Sequence, residues 1–436
     1  MGSNLKFVCG SAQIDLNERV GLFLQAGYFP TVDVTEKTVT ESVKVQLRGS
    51  TISANIQTLN RWFERARAQD PALEPVYLEY KVSDGETAWR SRIHDGAVTA
   101  SSSLSREWSQ GRVNVEISFE RDAFWEGPET TLPIGNANLA DPVRVFNAND
   151  GIGMVPNKRI NIAYVTGNLI LGDMPTPVKL TIENLYDENL AHLWIGMNNT
   201  RPNWNTGWML EAESAIGVTP VSAVGASGGA IAQGTMSFGS SQAVLRWSIS
   251  DAIVSMMMGH RLRMLLRPWY TGSYSVFKYK IRLAAGATTL YETDWLRETA
   301  TYGRHWLDMF DFRMPPWLEG KTNLAGLTLE LWASPTQAGT WTWAFDDVML
   351  FAQDGFVSLD TVVEPGGKVI IDGNSGWCEG ATGKKYGLRK FVGSMMLQPK
   401  EFHMFFFAMH ADGMNNAPID FLVGVSGTYR PRRRLL

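Results

Sequence analysis

Cysteine is nearly absent from this sequence, and long apolar runs are missing. Only Cys9 and Cys378 occur among 436 residues, with no Cys-x-x-Cys spacing that would indicate a zinc site. Two cysteines make no disulfide framework, so we expect assembly in a reducing cytoplasm, with a single disulfide as the alternative. Glycine or polar residues interrupt every apolar stretch, which predicts no membrane-spanning helix.

Charge is also sparse. Charged residues make up 19% of the chain, below the usual roughly 25%, and the formal net charge is -4. This balance provides no broad basic face, so we expect no nucleic-acid partner. Hydrophobic residues make up 44%, enough to build large cores, and the length allows two to four domains of roughly 100–200 residues.

Signatures of catalysis are missing or lie in the wrong context. Residues 225–229 match G-x-S-x-G, but this glycine-rich stretch lies between strand-like segments, whereas a nucleophile elbow needs a following helix. We therefore interpret it as part of a mobile loop over residues 221–239. The six histidines have no HExxH or similar spacing. The prediction is a protein that is not an enzyme and carries no cofactor.

One acidic pair, Asp346 and Asp347, precedes an apolar strand-like run. Adjacent residues on a strand point to opposite faces, so we do not expect these two to act together as the carboxyl pair of a glycosidase. One of them is a candidate Ca²⁺ ligand, because calcium prefers carboxylate oxygens. The alternative is simple solvation at a turn or sheet edge.

Alternation of apolar and polar residues dominates the chain and predicts β-strands. Val43, Val45 and Leu47 alternate with polar residues, as do the apolar residues of 113–119. Similar runs cover 76–82, 178–185, 243–249, 274–283, 327–331, 340–351 and 368–371. We predict a mainly β protein made of β-sandwich and jelly-roll domains.

One helix interrupts this pattern. Apolar residues recur at spacings of three and four from Ile56 to Ala66, which gives one apolar stripe. Ser53 is the expected N-cap, and Asp70-Pro71 is the expected end, since the residue before proline disfavours the helical region. The N-terminal domain should therefore be a sheet that carries one short helix.

Composition suggests where the domains divide. The first domain should span 1–130, and the Pro-, Gly-, Asn- and Asp-rich residues 131–159 should form a linker. Many short strands without helical periodicity predict a jelly roll over 160–354. A further β domain should cover 355–436.

Several of these segments resemble a known family. The strand 41–49, the helix 56–67, the strand 75–79 and the closing "ER…FWE" of 120–126 resemble the N-terminal domain of tailed-phage distal-tail and related minor tail proteins. In the third domain, the segments 369–373, 391–393, 396–400, 405–407 and 423–429 resemble the family's C-terminal sandwich. The resemblance implies a structural protein that packs in a ring of its own copies around the tail tube.

The middle of the chain resembles the jelly roll of carbohydrate-binding modules. The resemblance rests on 172–180 as an opening strand and on the "DDV.L" run of 346–350 as a closing strand. It implies a glycan platform, for which Trp204, Trp208, Trp341 and Trp343 are candidates. The other interpretation of these tryptophans is core packing, because each buries roughly 150–250 Å².

The chain ends in a basic stretch that contains Arg430, Arg432, Arg433 and Arg434. These arginines are candidates for docking to an acidic surface of a neighbouring subunit, since guanidinium groups form bidentate pairs. The alternative is a solvated terminus.

The resemblance implies a component of the tail tip or baseplate, located in the virion tail after assembly in the host cytoplasm. Its partners would be copies of itself, the tube, hub and tape-measure proteins, and a glycan of the host surface. A receptor-binding or adhesion protein is the alternative. A glycan-degrading enzyme is a third hypothesis without positive support in the sequence.

Overall fold

A computed structural model describes most of the chain. The described residues are 4–17, 22–24, 28–33, 35–48, 52–70, 73–83, 85–100, 112–136, 143–147, 161–165, 169–198, 209–249, 261–269, 276–297, 306–313, 327–352, 355–373, 375, 377–380, 385–387, 390–392, 394–411 and 421–434. They form two compact units. Unit 1 contains Met1–Thr130, Leu171–Thr176 and Arg430–Leu436, and unit 2 contains Thr131–Ile170 and Pro177–Tyr429.

The described residues of unit 1 form a nine-stranded sheet with one helix. Its elements are β1 (Asn4–Cys9), β2 (Ala12–Asp15), β3 (Leu22–Leu24), β4 (Thr38–Arg48), α1 (Ile52–Ala68), β5 (Val76–Lys81), β6 (Trp89–Ala100), β7 (Arg112–Asp122), β8 (Trp125–Glu126) and the last strand of the chain, β34 (Arg432–Arg433). The strand order of this sheet, sheet 1, is β2-β1-β5-β6-β7-β4-β3, with β8 joining β6 and β34. The alternating burial of β7 confirms the period-two prediction for residues 113–119.

Helix α1 covers the apolar face of sheet 1. Leu59 and Phe63 are buried on the predicted stripe. The helix begins at Ile52, so Ser53 lies in its first turn and the predicted N-cap was one or two residues late. Gly96 of β6 permits close packing, because a Cβ atom there would lie 2.6 Å from the Phe63 ring.

Unit 2 begins with a β-sandwich that uses strands from both sides of a long insertion. Its strands are β9 (Thr130–Thr131), β10 (Ile134–Gly135), β11 (Val143–Phe146), β12 (Ile162–Val165), β13 (Thr176–Asn184), β14 (Leu190–Asn198), β26 (Phe356–Val363), β27 (Lys368–Asp372), β28 (Trp377–Gly380), β29 (Lys385–Gly387), β30 (Lys390–Val392), β31 (Met396–Leu397), β32 (His403–Ala411) and β33 (Leu422–Tyr429). Sheet 2 has the order β11-β33-β13-β27-β28-β29, with β9 and β31 at its side, and sheet 3 has the order β10-β12-β32-β14-β26-β30.

The insertion folds as a second pair of antiparallel sheets, the jelly roll of unit 2. Its strands are β15 (Met209–Glu211), β16 (Pro220–Ser222), β17 (Ala230–Ser237), β18 (Gln242–Ser248), β19 (Arg261–Pro268), β20 (Phe277–Ala285), β21 (Thr288–Glu292), β22 (Leu296–Arg297), β23 (Leu307–Arg313), β24 (Leu327–Pro335) and β25 (Thr340–Ala352). Sheet 4 is β16-β17-β25-β19-β23 with β15 beside β25, and sheet 5 is β18-β24-β20-β21 with β22 beside β20. The mainly β fold class is therefore confirmed.

Strand pairing divides the chain differently from the predicted boundaries. The jelly roll occupies the interval between β14 and β26, which pair with each other in sheet 3. Residues 172–180, predicted as its opening strand, instead supply β13 of sheet 2, which pairs with β27 and β33. Strands β10 and β11 lie within the predicted linker 131–159. Alternation predicts that a strand exists, but its partner depends on residues far away in the sequence.

Sheet 3 is buried on both faces. Along β32, all nine residues are buried. Phe405 and Phe407 belong to the core that sheet 3 shares with sheet 2. Phe406 and Ala408 belong instead to the core of the jelly roll. Because successive side chains point to opposite faces, this one strand contributes to two cores at once.

Substitution should reveal both contributions of β32. We expect Phe405→Ala and Phe406→Ala each to lower the free energy of unfolding of unit 2 by about 3–5 kcal/mol, because each leaves a cavity. Guanidinium unfolding followed by tryptophan fluorescence measures this. Val362→Ala is the control, since Val362 is 53% exposed. A loss confined to one of the two phenylalanine variants would contradict the burial of both faces.

Candidate functional site

The structure separates the predicted glycan-binding tryptophans. Trp343 is buried in the jelly-roll core, where its ring stacks near Phe345 with centroids 6.1 Å apart. Trp341 is half-buried, and its indole nitrogen donates to the carbonyl oxygen of Gln337 at 3.0 Å. Trp204 and Trp208 lie outside the described residues. Core packing therefore accounts for Trp343.

Another aromatic group lies on sheet 5 and was not singled out from the sequence. Lys280 lies between the rings of Trp295 and Trp332, with its Nζ atom 5.0 and 5.5 Å from their centroids. Lys278 also lies over Trp295, and Arg282 lies over Trp332. These side chains come together because β20 and β24 pair directly and β20 leads into β21 and β22.

The arginines of the basic stretch contact residues of unit 1. Two nitrogens of Arg432 donate to the same carboxylate oxygen of Glu126 at 2.8 and 3.0 Å. The Arg430 guanidinium donates to the carbonyl of Gly127 at 3.1 Å. The Arg433 guanidinium lies over the Trp89 ring at 4.8 Å, while the Arg434 backbone N–H donates to Asp173. The predicted docking to a neighbouring subunit remains a prediction, but these contacts already lie within the chain.

The two aspartates of the "DDV" run meet one arginine at an irregularity in sheet 4. Between β19 and β25, Leu266 pairs with Val348 and Pro268 pairs with Phe345. Asp346 and Asp347 therefore lie opposite Arg267 alone, which is the two-against-one arrangement of a β-bulge. A bulge breaks the alternation of side chains, so both aspartates reach the same guanidinium. The expectation that they point apart was wrong for this reason.

The contacts of Arg267 confirm this geometry. Its Nε atom lies 3.4 Å from an oxygen of Asp346, and its Nη1 atom lies 3.4 Å from an oxygen of Asp347. All three side chains are at most 2% exposed. The backbone N–H of Ser227 donates to both oxygens of Asp346 at 3.0 and 3.2 Å.

Ser227 belongs to the G-x-S-x-G stretch, and its place in the fold differs from the predicted mobile loop. It is fully buried in a short 3₁₀ turn, Ser227–Gly229, between β16 and β17. Gly228 permits this turn, because its φ of 61° is in the left-handed region. The stretch thus fixes a backbone donor for Asp346.

Two glutamates complete the cluster. Glu211 pairs in register with Asp347 across β15 and β25. Glu213 follows in the 3₁₀ turn Ala212–Ser214. We call Glu211, Glu213, Asp346 and Asp347 the acidic cluster. The glutamates are more than 130 positions from the aspartates, so no local spacing in the sequence could reveal this cluster.

Burial disfavours the charged forms of these acids. Burial, followed by the negative charge of Asp347, raises the pKa of Glu211 to about 12. Burial also raises the pKa of Glu213 to about 7. The pKa of Asp347 is well above its usual range because of burial and the neighbouring charge of Asp346. A cation bound among these acids would favour their charged forms, since an opposite charge nearby lowers the pKa of a carboxyl group.

The acidic cluster fits a hard divalent cation such as Ca²⁺. Carboxylate oxygens of Glu211, Asp346 and Asp347 lie within 4.8 Å of one another. Two oxygens that share a calcium ion lie at most about 5 Å apart. Furthermore, Oδ1 of Asp347 and Oε2 atoms of both glutamates are buried without a hydrogen-bond partner among the described residues. An ion there would neutralise the cluster and tie β15 to β25.

The same burial argues against sugar cleavage by these acids. A glycosidase needs its two carboxyl groups on either side of a bound sugar. Asp346 is fully buried and Asp347 is 1% exposed, so a sugar ring has no access to them.

Comparisons with known proteins add little to this geometry. No protein-family model and no curated protein matches the chain. Among solved structures, a chain of the phage P2 baseplate in its activated conformation with Ca aligns over 100% of both chains, with 9% identity and a TM-score of 0.29. The VP2 subviral particle of infectious bursal disease virus aligns over 70% of this chain and 79% of that one, with 10% identity and a TM-score of 0.19.

Within the described residues, no helix is long and apolar enough to cross a membrane. Both cysteines are buried.

Removal of Arg432 should destabilise unit 1. We expect Arg432→Ala to lower its stability by about 1–2 kcal/mol, because a charge-assisted pair with Glu126 is lost. Hydrogen exchange of peptides from β6 and β8 during urea unfolding measures this. Lys44→Ala, at an exposed position of β4, is the control and should change little. Unchanged exchange in the Arg432 variant would mean that the arginine does not stabilise the chain on its own.

Calcium should stabilise unit 2. We expect an excess of CaCl₂ to raise its melting temperature by about 5 °C or more relative to EDTA, since an ion that binds only the folded state stabilises it. Asp347→Asn should remove this shift. Asp294→Asn, at an exposed position beside β21, should keep it. The metal assignment is wrong if calcium shifts the wild type and the Asp347 variant equally.

Proposed function

We propose that this protein is a structural component of a phage tail tip of the distal-tail type. The observation that carries the proposal is the assembly of unit 1. The segments that resemble the family's N-terminal domain become β4, α1, β5, β7 and β8 of one sheet-plus-helix unit. The Arg-rich end of the chain completes that unit through β34. The proposed role is mechanical and needs no catalytic group.

A ring of copies would bury features that unit 1 leaves exposed. Strands β2 and β3 are the end strands of sheet 1 among the described residues, and end strands offer unpaired backbone groups. Phe29 is 85% exposed. An aromatic side chain exposed in this way is available for burial against a neighbouring copy, since aromatic residues are enriched at the centres of interfaces.

The position of Phe29 is fixed by a buried ion pair. Arg121 donates to Glu41 at 2.7 Å and to the carbonyl of Thr31 at 3.1 Å. Glu41 also accepts hydrogen bonds from the Tyr28 hydroxyl and the Thr31 backbone. Since residues on both sides of Phe29 are anchored, its ring is presented to solvent in one place. This supports a role in contact with a neighbouring copy.

The test is the size and shape of the purified chain. We expect native mass spectrometry to give one closed multiple of the 48.5 kDa chain, and electron microscopy to show rings. Phe29→Ser should shift the population toward monomers, because a large apolar contact is lost. Val224→Ser is the matched control, since Val224 is 96% exposed but belongs to the jelly roll. A wild-type chain that stays monomeric at every concentration would contradict the proposal.

Assembly into a virion tail would then bring the chain into contact with tube, hub and tape-measure proteins. Such a chain would be synthesised in the host cytoplasm, which agrees with a cysteine content too low for a disulfide framework.

Adhesion to a host glycan is the second candidate function, favoured by Trp295 and Trp332 on sheet 5. Aromatic faces stack on sugar rings, and the surrounding lysines suit an acidic glycan. We expect retention on an array of bacterial surface glycans to fall at least about tenfold in Trp332→Ala, a loss of about 1.4 kcal/mol. Trp377→Ala, at a half-exposed position of β28, should not change it. Absence of any retained glycan would exclude this function.

A further inference from the structure

Arg267 connects the acidic cluster of the jelly roll with the sandwich. The same Nη1 atom that faces Asp347 also donates to the backbone carbonyl of Asn147 at 3.0 Å. Asn147 directly follows β11 of sheet 2 and is fully buried. A change in the charge around Arg267 therefore acts on a residue of the other β-sandwich.

Asn147 in turn forms hydrogen bonds with sheet 3. Its side-chain amide donates to the carbonyl of Met409 at 2.9 Å, and its side-chain oxygen accepts from the Met409 N–H at 3.0 Å. The same oxygen accepts a hydrogen bond from the indole of Trp306 in the jelly roll, also at 3.0 Å. Asn147 thus joins β11, β32 and the jelly roll through buried hydrogen bonds.

A second hydrogen bond also joins the jelly roll to β32. The backbone N–H of Trp306 donates to Nε2 of His410 at 2.8 Å, one residue beyond Met409. The Arg267 guanidinium also lies 5.6 Å from the Trp306 ring and 5.8 Å from the Trp269 ring. These polar groups are surrounded by apolar core, where satisfied hydrogen bonds define one arrangement and unsatisfied ones are costly.

Arg267 contacts two of the four acidic groups of the cluster. Asp347 is 1% exposed, and its Oδ1 atom has no hydrogen-bond partner among the described residues. A buried acceptor atom that receives no hydrogen bond costs free energy, so this oxygen favours a ligand. A bound cation would supply that contact and hold Asp347 in place against Arg267.

We propose that a divalent cation in the acidic cluster locks the jelly roll onto sheet 3 through Arg267 and Asn147. With the cation bound, Arg267 is held between the aspartates and the Asn147 carbonyl, and the bonds to Trp306 and Met409 persist. Without it, the cluster opens and the contact with β32 loosens. This coupling does not depend on the tail-tip assignment, because it concerns two parts of one chain.

Hydrogen exchange of the full chain tests the coupling, with calcium chloride or EGTA as the only variable. We expect calcium to slow exchange about tenfold in peptides covering β25, next to the ion, and also in peptides covering 405–411 of β32. The proposal would be overturned if calcium slowed exchange in β25 of the wild type but not in 405–411. It would also be overturned if calorimetry detected no calcium binding.

Two variants distinguish coupling between the cation site and β32 from a general stabilisation of the fold by calcium. Trp306→Phe removes the indole donor to Asn147 but keeps a ring in the core, and Asn147→Ala removes the side-chain bonds to Met409. In both, calcium should still slow exchange in β25 about tenfold, whereas its effect on 405–411 should fall below about threefold. Circular dichroism verifies that each variant is folded. Trp377→Phe, on β28 away from this network, should behave as the wild type. The proposal would be overturned if calcium slowed exchange in 405–411 equally in the wild type and in all three variants.

Discussion

The structure of unit 2 depends on the burial of both faces of sheet 3. Its central strand β32 is apolar on each side, so one face must be covered by sheet 2 and the other by the jelly roll. Each face provides apolar area at roughly 25 cal/mol per Å², and neither face could be left in water without a large loss of stability. The sandwich and the jelly roll are therefore parts of one packed structure.

The position of the insertion follows from the same constraint. The jelly roll leaves from the end of β14 and returns at the start of β26, and these strands are hydrogen-bonded neighbours. Since the two ends are already close, a long insertion requires little additional loop-closure entropy. Among the described residues, its first and last strands, β15 and β25, also pair with each other, so the two ends of the insertion are joined.

A polar centre within this apolar structure is a source of specificity more than of stability. Burying Arg267 with two aspartates costs desolvation free energy that an apolar replacement would avoid. The bulge that unites these side chains and the backbone donor from Ser227 indicate that the fold is built around the cluster. The proposed cation, together with the arginine shared with Asn147, would allow the chemical environment to affect how the two sandwiches hold together.

By itself the sequence determined the local structure, because alternation and helical spacing are local properties. It predicted α1 to within about two residues, the strands β4, β7, β13 and β25, and the mainly β class. Tertiary structure alone decided which strands pair. Strands within 160–198 belong to the sandwich, the Arg-rich end of the chain belongs to unit 1, and Glu211 pairs with Asp347. Pairing depends on the mutual burial of distant apolar faces, and a single bulge redirects side chains, so neither outcome is encoded in the spacing of neighbouring residues.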